Sequence, residues 1–472
     1  MRKISSDILF SGLIRFAIRL RGLVFIPLIT VLLGVAEFGA YALILAIANL
    51  LELVFGLCLY AALVRYGQTR DDLADLYYSL TTVVIASSSI IAVIIITFSN
   101  PISVLTLGSD EFTMAFAVGS LLIITRALVR IARNYYRADS RIKIYSFIEG
   151  LNAYGIIISV VVSLYIFDAG LVGLFTAMII VESLTIILVN LHIMSEIGIS
   201  IPTFTDLTEH LRYSLPLAAS SLASNAASRA DRVLIGFFLG AEAIGIYSIV
   251  YDISIVIKMY VHPIRSTFFP EFSSMMERGE IDAIKMYTKS GVRFFLIICL
   301  PTIAGIGLIG QDIIRLMTQG DTAVPSVELL IVIPLGIALL GFDRIHAIIL
   351  NAAERTAIQS LIQWVGAIGN LILNVVLIPP FGIVGAGVAT VLTYGLTASL
   401  TVLKANETVP LSMPWKTVVR SGIATMGMIF VAVMILPDIL SIVILGSIIV
   451  YFTILFSLKE FTIIEMRGEL MS

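Results

Sequence analysis

Arg15 and Arg19 stand four residues apart inside the apolar run LIRFAIRLRGLVFIPLITVLL, and Arg229 and Arg232 close the small, polar stretch SLPLAASSLASNAASRADR. A guanidinium keeps its charge in a protein and presents a rigid fork of donors that suits phosphate. At the centre of a membrane helix each such group costs roughly 2.5–3.5 kcal/mol, so it needs a partner or a wet cavity. The chemistry these residues offer is anion binding. They fit a phosphate or pyrophosphate head, and fit a hydrophobic cation poorly.

The spacing sharpens this. Ser11, Arg15 and Arg19 share one helical face, whereas Arg21 points about 200° away from Arg19. For Arg15, snorkelling to the inner interface competes with a cavity role; Arg19 lies about 15 Å along the helix from residue 9, at about 1.5 Å per residue, where snorkelling is hard. Ser214, Ser221, Asn225, Ser228 and Arg232 recur at steps that keep them in one stripe of a continuous helix. Small residues alone would suit close helix packing, which does not account for Arg229 and Arg232. The substrate-binding candidates are therefore Arg15, Arg19, Ser221, Asn225, Ser228, Arg229 and Arg232.

Four acids also fall in apolar segments: Glu52, Glu182, Asp231 and Asp252. A carboxylate that releases Arg232 to a phosphate could take up H+ or Na+ as it does so, which makes Asp231 the leading candidate for ion coupling. The alternatives are a fixed counter-ion role for Asp231 and local pairing for the others, including a Glu52–Lys258 pair. Asn370 and Asn374 either line the same cleft or bridge helices. Cys58 and Cys299 read as small buried hydrophobes, with no metal-ligand spacing. No GxxxxGK[ST] run occurs, so no nucleotide or other cofactor is expected, and no loop is long enough for a catalytic domain. The reading is of a non-enzyme.

The elements that position these residues are membrane helices. Of 472 residues, 59% are hydrophobic and 13% charged, against about 25% charged in soluble chains. Apolar runs of about 20 residues mark fourteen candidate spans: 9–33, 38–63, 77–99, 113–134, 145–167, 170–192, 212–239, 243–264, 290–309, 325–346, 357–378, 383–404, 417–436 and 438–457. Basic residues collect in every second connection (Arg65, Arg70, Arg137, Arg141, Lys143, Arg265, Arg278, Lys285, Lys289, Arg355, Lys404, Lys416), and the other side is acidic. By the positive-inside rule both termini are cytoplasmic. Met1 reads as the mature start, since arginines interrupt the first apolar run and no cleavage site follows. The stretch Phe268 to Gly291 mixes apolar and charged residues and is expected to be an amphipathic helix on the inner surface.

An internal repeat fixes the architecture. LGVAEFGAYAL from Leu33 matches LGAEAIGIYSI from Leu239, aligning Gly34, Gly39 and Tyr41 with Gly240, Gly245 and Tyr247 at an offset of 206. Gly170 and Gly173 match Gly382 and Gly385 at 212; Arg141 and Gly155 match Arg355 and Gly369 at 214. An even number of spans separates the copies, so the two six-span bundles are parallel repeats. The expected fold is an all-α polytopic membrane protein of about 14 transmembrane helices. Residues 1–200 form one lobe (spans 1–6), 201–405 the other (spans 7–12), and 406–472 carry two extra spans and a cytoplasmic tail.

Several stretches carry a family resemblance: GVAEFGAYAL; GLCLYAALVRYG; YSLPLAASSLASNAASRADRVLIGFFLGAEAIGIYSIVYDI; FFPEFSS; and PPFGIVGAGVAT. In these the sequence resembles the oligosaccharide-flippase and polysaccharide-transporter branch of the multidrug/oligosaccharidyl-lipid/polysaccharide (MOP) exporter superfamily, over essentially residues 1–405. Relatives often place an arginine before the first outer glycine, as in ARLLG, where this chain has TVLLG with Val31. The resemblance implies a V-shaped, MATE-like transporter of the cytoplasmic membrane. It would move a glycan linked to undecaprenyl or dolichyl phosphate across the bilayer by alternating access, for polysaccharide or glycoprotein assembly. Partners are then this lipid-linked glycan, membrane lipids and H+ or Na+, with no nucleic acid. The rival is a cation-coupled multidrug antiporter of the same superfamily, which should favour carboxylates and aromatics over arginines.

Overall fold

A computed structural model describes residues 25, 27–67, 73–226, 229–318, 324–435 and 439–460. Every regular element among them is helical, as lipid requires: a helix satisfies its own backbone hydrogen bonds where no water can. The chain divides into two compact units, Met1–Ser248 and Ile249–Ser472. The first holds α1 (Val35–Phe55), α2 (Leu59–Tyr66), α3 (Leu73–Thr97), α4 (Ser99–Leu107), α5 (Thr113–Ala138), α6 (Ile142–Val161, with a π turn Val162–Ile166), α7 (Gly170–Ile197), α8 (Leu207–Ala226), α9 (Ala230–Leu239) and the start of α10 (Ala241–Ser254). The second continues through α11 (Val256–Arg278), α12 (Ile281–Met317), α13 (Val327–Ala352), α14 (Thr356–Asn406), α15 (Trp415–Met434) and α16 (Leu440–Ser457).

Ten of the described helices are long and apolar enough to cross a membrane, and α10 with α11 forms a further span bent by 42°. The 51 residues of α14 are two spans. A straight helix of that length would run about 75 Å at 1.5 Å per residue. Yet the Arg355 guanidinium at one end donates to the carbonyl of Lys404 at the other, 3.2 Å away. The reversal falls at Gly382 (φ 59°, ψ −144°), a conformation open to glycine. Large apolar side chains such as Ile90, Ile158, Leu188, Leu361, Phe430 and Ile449 lie exposed, as a lipid-facing surface requires.

The repeat is written into the backbone. Gly34 (φ 87°, ψ 172°) starts α1 and Gly240 (φ 83°, ψ −174°) precedes α10, both in a region that essentially only glycine enters. Ser140 and Glu354 share φ 58° before Arg141 and Arg355. The same arginine then closes the same connection in each half. Arg141 grips Glu196 with two bonds of 2.5 and 2.6 Å, and Arg355 bonds Glu407 at 2.8 Å.

Three expectations need correction. The second span is not continuous. It breaks after α1, where Leu57 (φ 51°) and Cys58 (φ 50°) are left-handed. The seventh leaves helical geometry at Arg229 (φ −130°, ψ −22°), where α9 starts, so the stripe of one continuous helix does not carry through to Arg232. Finally, Phe268 to Gly291 is no separate surface helix. α11 and α12 simply extend beyond their apolar runs and turn at left-handed Gly279, where the ring of Phe268 meets that of Tyr287 at 6.0 Å. Packing the two extensions on each other buries the apolar face that would otherwise seek the membrane surface.

The two appended helices are fastened to α12. Tyr451 donates to the carbonyl of Ile297 at 2.6 Å, and buried Glu460 accepts from Arg293 at 2.9 Å and Arg420 at 3.0 Å.

Candidate functional site

Arg15, Arg19, Arg21 and Ser228 lie outside the described residues. The remaining candidates of the seventh span sit on either side of its break. On α8, the Asn225 amide turns back onto the carbonyl of Ser221 at 2.8 Å. Ser221 is within hydrogen-bonding reach of the Cys58 thiol, so the polar face of the seventh span meets the break in the second. Arg229 occupies the turn that starts α9, with φ −130° and ψ −22°.

Asp231 and Arg232 follow in the first turn of α9, and their neighbours are the next helix of the chain. Asp231 is buried and its Oδ2 accepts from the Tyr247 hydroxyl at 2.8 Å. The Nε of Arg232 donates to the Ser248 hydroxyl at 2.9 Å. Acid and base thus each hold a hydroxyl of α10, one residue apart. A carboxylate in the first turn also suits the positive end of the helix.

The other acids are held within the first unit by arginines that the sequence reading passed over. Arg126, Arg130 and Arg133 recur on α5 at steps of four and three, which puts them on one face. Buried Glu182 accepts from Thr125 and from the Nε of Arg126 at 3.3 Å, while Arg126 also bonds Asn49 at 2.7 Å. Buried Glu52 accepts from Arg130 Nη2 at 2.7 Å. Arg133 pairs with Glu149 at 3.1 Å. Glu52 was expected to pair with Lys258, but Arg130 reaches it from the adjoining helix, and Lys258 donates to the Tyr251 hydroxyl at 2.9 Å. The signal for this layer was present in the sequence as three arginines at helical spacing inside one apolar span.

In the second unit, Asp252 is half-buried near the bend between α10 and α11. Asn370 and Asn374 are fully buried, with the Asn374 amide bonded to the Asn370 side chain at 3.0 Å, so they link to each other within one helix. Asp343 accepts from Thr401 at 2.6 Å. Among the described residues no group of His, Cys, Asp and Glu could hold a metal ion.

Fold and polar interior together define a polytopic helical membrane protein with charged pairs inside its spans. The family described as "Polysaccharide biosynthesis protein" matches residues 28–321, and the chain belongs to that family. It is similar to the probable flippase AglR of Haloferax volcanii, 23% identical over 389 residues that cover 80% of this chain and 79% of the relative. Among solved structures, the lipid II flippase MurJ in an inward closed conformation superposes with a TM-score of 0.77 at 16% identity, covering 96% of this chain and 98% of that one. An inward-facing multidrug resistance MATE family transporter of the MOP superfamily gives a TM-score of 0.69 at 14% identity, covering 84% of this chain and 97% of that one. The fold is the all-α polytopic fold of the MOP superfamily.

Proposed function

We propose that this protein is a flippase. It moves an oligosaccharide linked through phosphate or pyrophosphate to a polyprenyl lipid across the membrane by alternating access, for polysaccharide or glycoprotein assembly. Family membership supports the process, the name of AglR supports flipping, and the names of MurJ, a lipid II flippase, and of Agl15, a probable low-salt glycan biosynthesis flippase, support the type of cargo. The observation that carries the reading is the charge sign of the polar interior. Glu52, Glu182 and Glu149 are each held by an arginine, and Arg229 and Arg232 stand together at the start of α9. A site for an organic cation would instead present carboxylates. Broken membrane helices are where transporters bind polar groups, because the freed backbone ends and their dipoles are available there.

The lobes are taken as residues 1–200 and 201–405, with 406–472 appended. Both termini are assigned to the cytoplasm and the protein to the plasma membrane, from the distribution of lysine and arginine. Asp231 is the first ion-coupling group, with Glu52, Glu182 and Asp252 behind it, and H+ or Na+ the ion. No covalent step is assigned to the chain.

Reconstitution of the full chain in liposomes with defined lipid-linked oligosaccharides tests the reading. Arg232→Ala should abolish translocation, and Arg232→Lys should restore it only in part, because an ammonium lacks the bidentate fork. If alanine variants of Arg19, Arg229 and Arg232 all fold and transport normally, the anion-binding reading is wrong. Tight binding of organic cations instead would favour the multidrug antiporter.

A further inference from the structure

The arginines of α5 are not equivalent. Arg126 is tied at two nitrogens, by Glu182 and Asn49, and its side chain is 17% exposed. Arg130 spends Nη2 on Glu52 and is 32% exposed, while that glutamate is 2% exposed. Its guanidinium lies 5.4 Å from the ring centre of Tyr60, whose hydroxyl it also reaches. Beyond Glu52 and Tyr60 it has no hydrogen-bond partner among the described residues. A guanidinium has five N–H donors, so most of this fork is unfilled.

A cavity of about 10 Å³, room for about one water, lies beside it among Glu52, Gly56, Cys58, Tyr60 and Arg130. It is too small for a phosphate, so an anion must meet the guanidinium at its exposed edge. This is the break in the second span. Leu57 and Cys58 are held left-handed there, a conformation that is strained for a residue with a side chain and that collects at functional sites. α8 of the seventh span packs on α1 and α2, on either side of this break, so Arg130 lies close to the helix already assigned to cargo.

We propose that Arg130, oriented by Glu52 over the broken second span, is a binding residue for the phosphate or pyrophosphate of the cargo, with Glu52 its positioning residue. The inference rests on the flippase reading and adds to it a contact in the fourth span. Glu52 anchors one edge of the fork, and the opposite edge receives the anion. This differs from a purely neutralising pair, in which the arginine serves only to offset a buried carboxylate.

The wild-type full chain provides the first test. Arginines are modified with phenylglyoxal, with and without saturating inorganic pyrophosphate, and located by mass spectrometry. Pyrophosphate should protect Arg130 as well as Arg232. Protection of Arg232 alone overturns this inference and leaves the flippase reading standing, whereas protection of neither arginine removes both. Protection by phosphatidylglycerol nanodiscs without pyrophosphate would assign the fork to a lipid headgroup and also overturn it.

Variants give the second test, with thermal unfolding as the check on folding. Arg130→Ala should weaken pyrophosphate binding by roughly tenfold or more, as expected for one charge-assisted contact. Arg130→Lys should recover part of it. In the double variant Glu52→Gln with Arg130→Gln no buried charge is left unpaired, so a merely neutralising role predicts recovered binding, and a binding role predicts none. Recovery in that double variant would overturn the proposal.

Discussion

Gly39 meets Gly245, its own counterpart in the second repeat, where the starts of α1 and α10 cross. A Cβ on Gly39 would lie 1.9 Å from the carbonyl oxygen of Ala241 and 2.8 Å from the nitrogen of Gly245. A Cβ on Gly245 would lie 2.3 Å from the carbonyl oxygen of Val35. The offset of 206 carries Gly39 to Gly245 and Val35 to Ala241, so the contact reads the same from either helix. Both helices approach backbone to backbone, as small residues allow in membranes.

Alanine at Gly39 or at Gly245 must push main chain against main chain. Each should destabilise the protein by about 1–3 kcal/mol, the usual cost of overpacking. The two effects should be alike. Alanine at Gly305 or Gly369, where nothing lies within 4 Å, should not destabilise. Thermal unfolding in detergent measures all four, and a harmless Gly39→Ala would refute the crossing.

The hydroxyl partners of α9 bear on coupling. Asp231→Asn should keep cargo binding but remove the pH or Na+ dependence of transport, because a neutral amide takes up no proton here and lacks the charge that draws Na+. Tyr247→Phe, which deletes the donor 2.8 Å from Asp231, should shift that dependence without abolishing it. Transport assays across pH and Na+ concentration decide this. Ion dependence that survives in Asp231→Asn moves the coupling site to Glu52, Glu182 or Asp252.

Orientation is tested by labelling. Cys58 and Cys299 are buried, so neither should itself react with the reagent. Cysteines placed at Asp110 and Asp168 should react with a membrane-impermeant maleimide in intact cells, and those at Lys143 and Lys285 should not. The reverse pattern would invert the assigned topology.

Glu407 lies outside the spans, and hydrogen bonds from Lys404, then Arg355, hold its carboxyl below the ordinary value of 4.5. A group lowered in the folded state supports stability fully above its unfolded pKa, and the support is lost as pH falls through the folded value. The wild type should therefore lose stability from about pH 4.5 downward. Glu407→Gln lacks that support at every pH, so it should be slightly less stable than the wild type at neutral pH and converge with it in acid, by a small amount since the pair is exposed. An unfolding series over pH would show it; identical acid limbs would count against the clamp.

Much of the architecture was legible because it is local. Lipid forces each apolar run of about 20 residues into a helix, whatever its neighbours. The glycines at 34, 240 and 382 mark turns because the backbone there has φ of 87°, 83° and 59°, which the residue type alone permits. Arg141 and Arg355 announced the repeat at a fixed offset, and the structure gives them the same acid partner in each half. The arginines of the seventh span could be picked out by the cost of charge in hydrocarbon.

What the sequence by itself determined was therefore a helical membrane protein of repeated spans, turned at glycines, with guanidinium groups in its interior. Only the tertiary structure decided where the second and seventh spans break, because an apolar run reads the same whether its backbone is continuous or interrupted at Cys58 and Arg229. It also decided the ion pairs. Glu52 is equally close in sequence pattern to several cations, and its choice of Arg130 follows from α1 packing beside α5. Charges in a low-dielectric interior bind whichever opposite charge the packing of helices brings within about 3 Å, and that packing is a property of the whole chain.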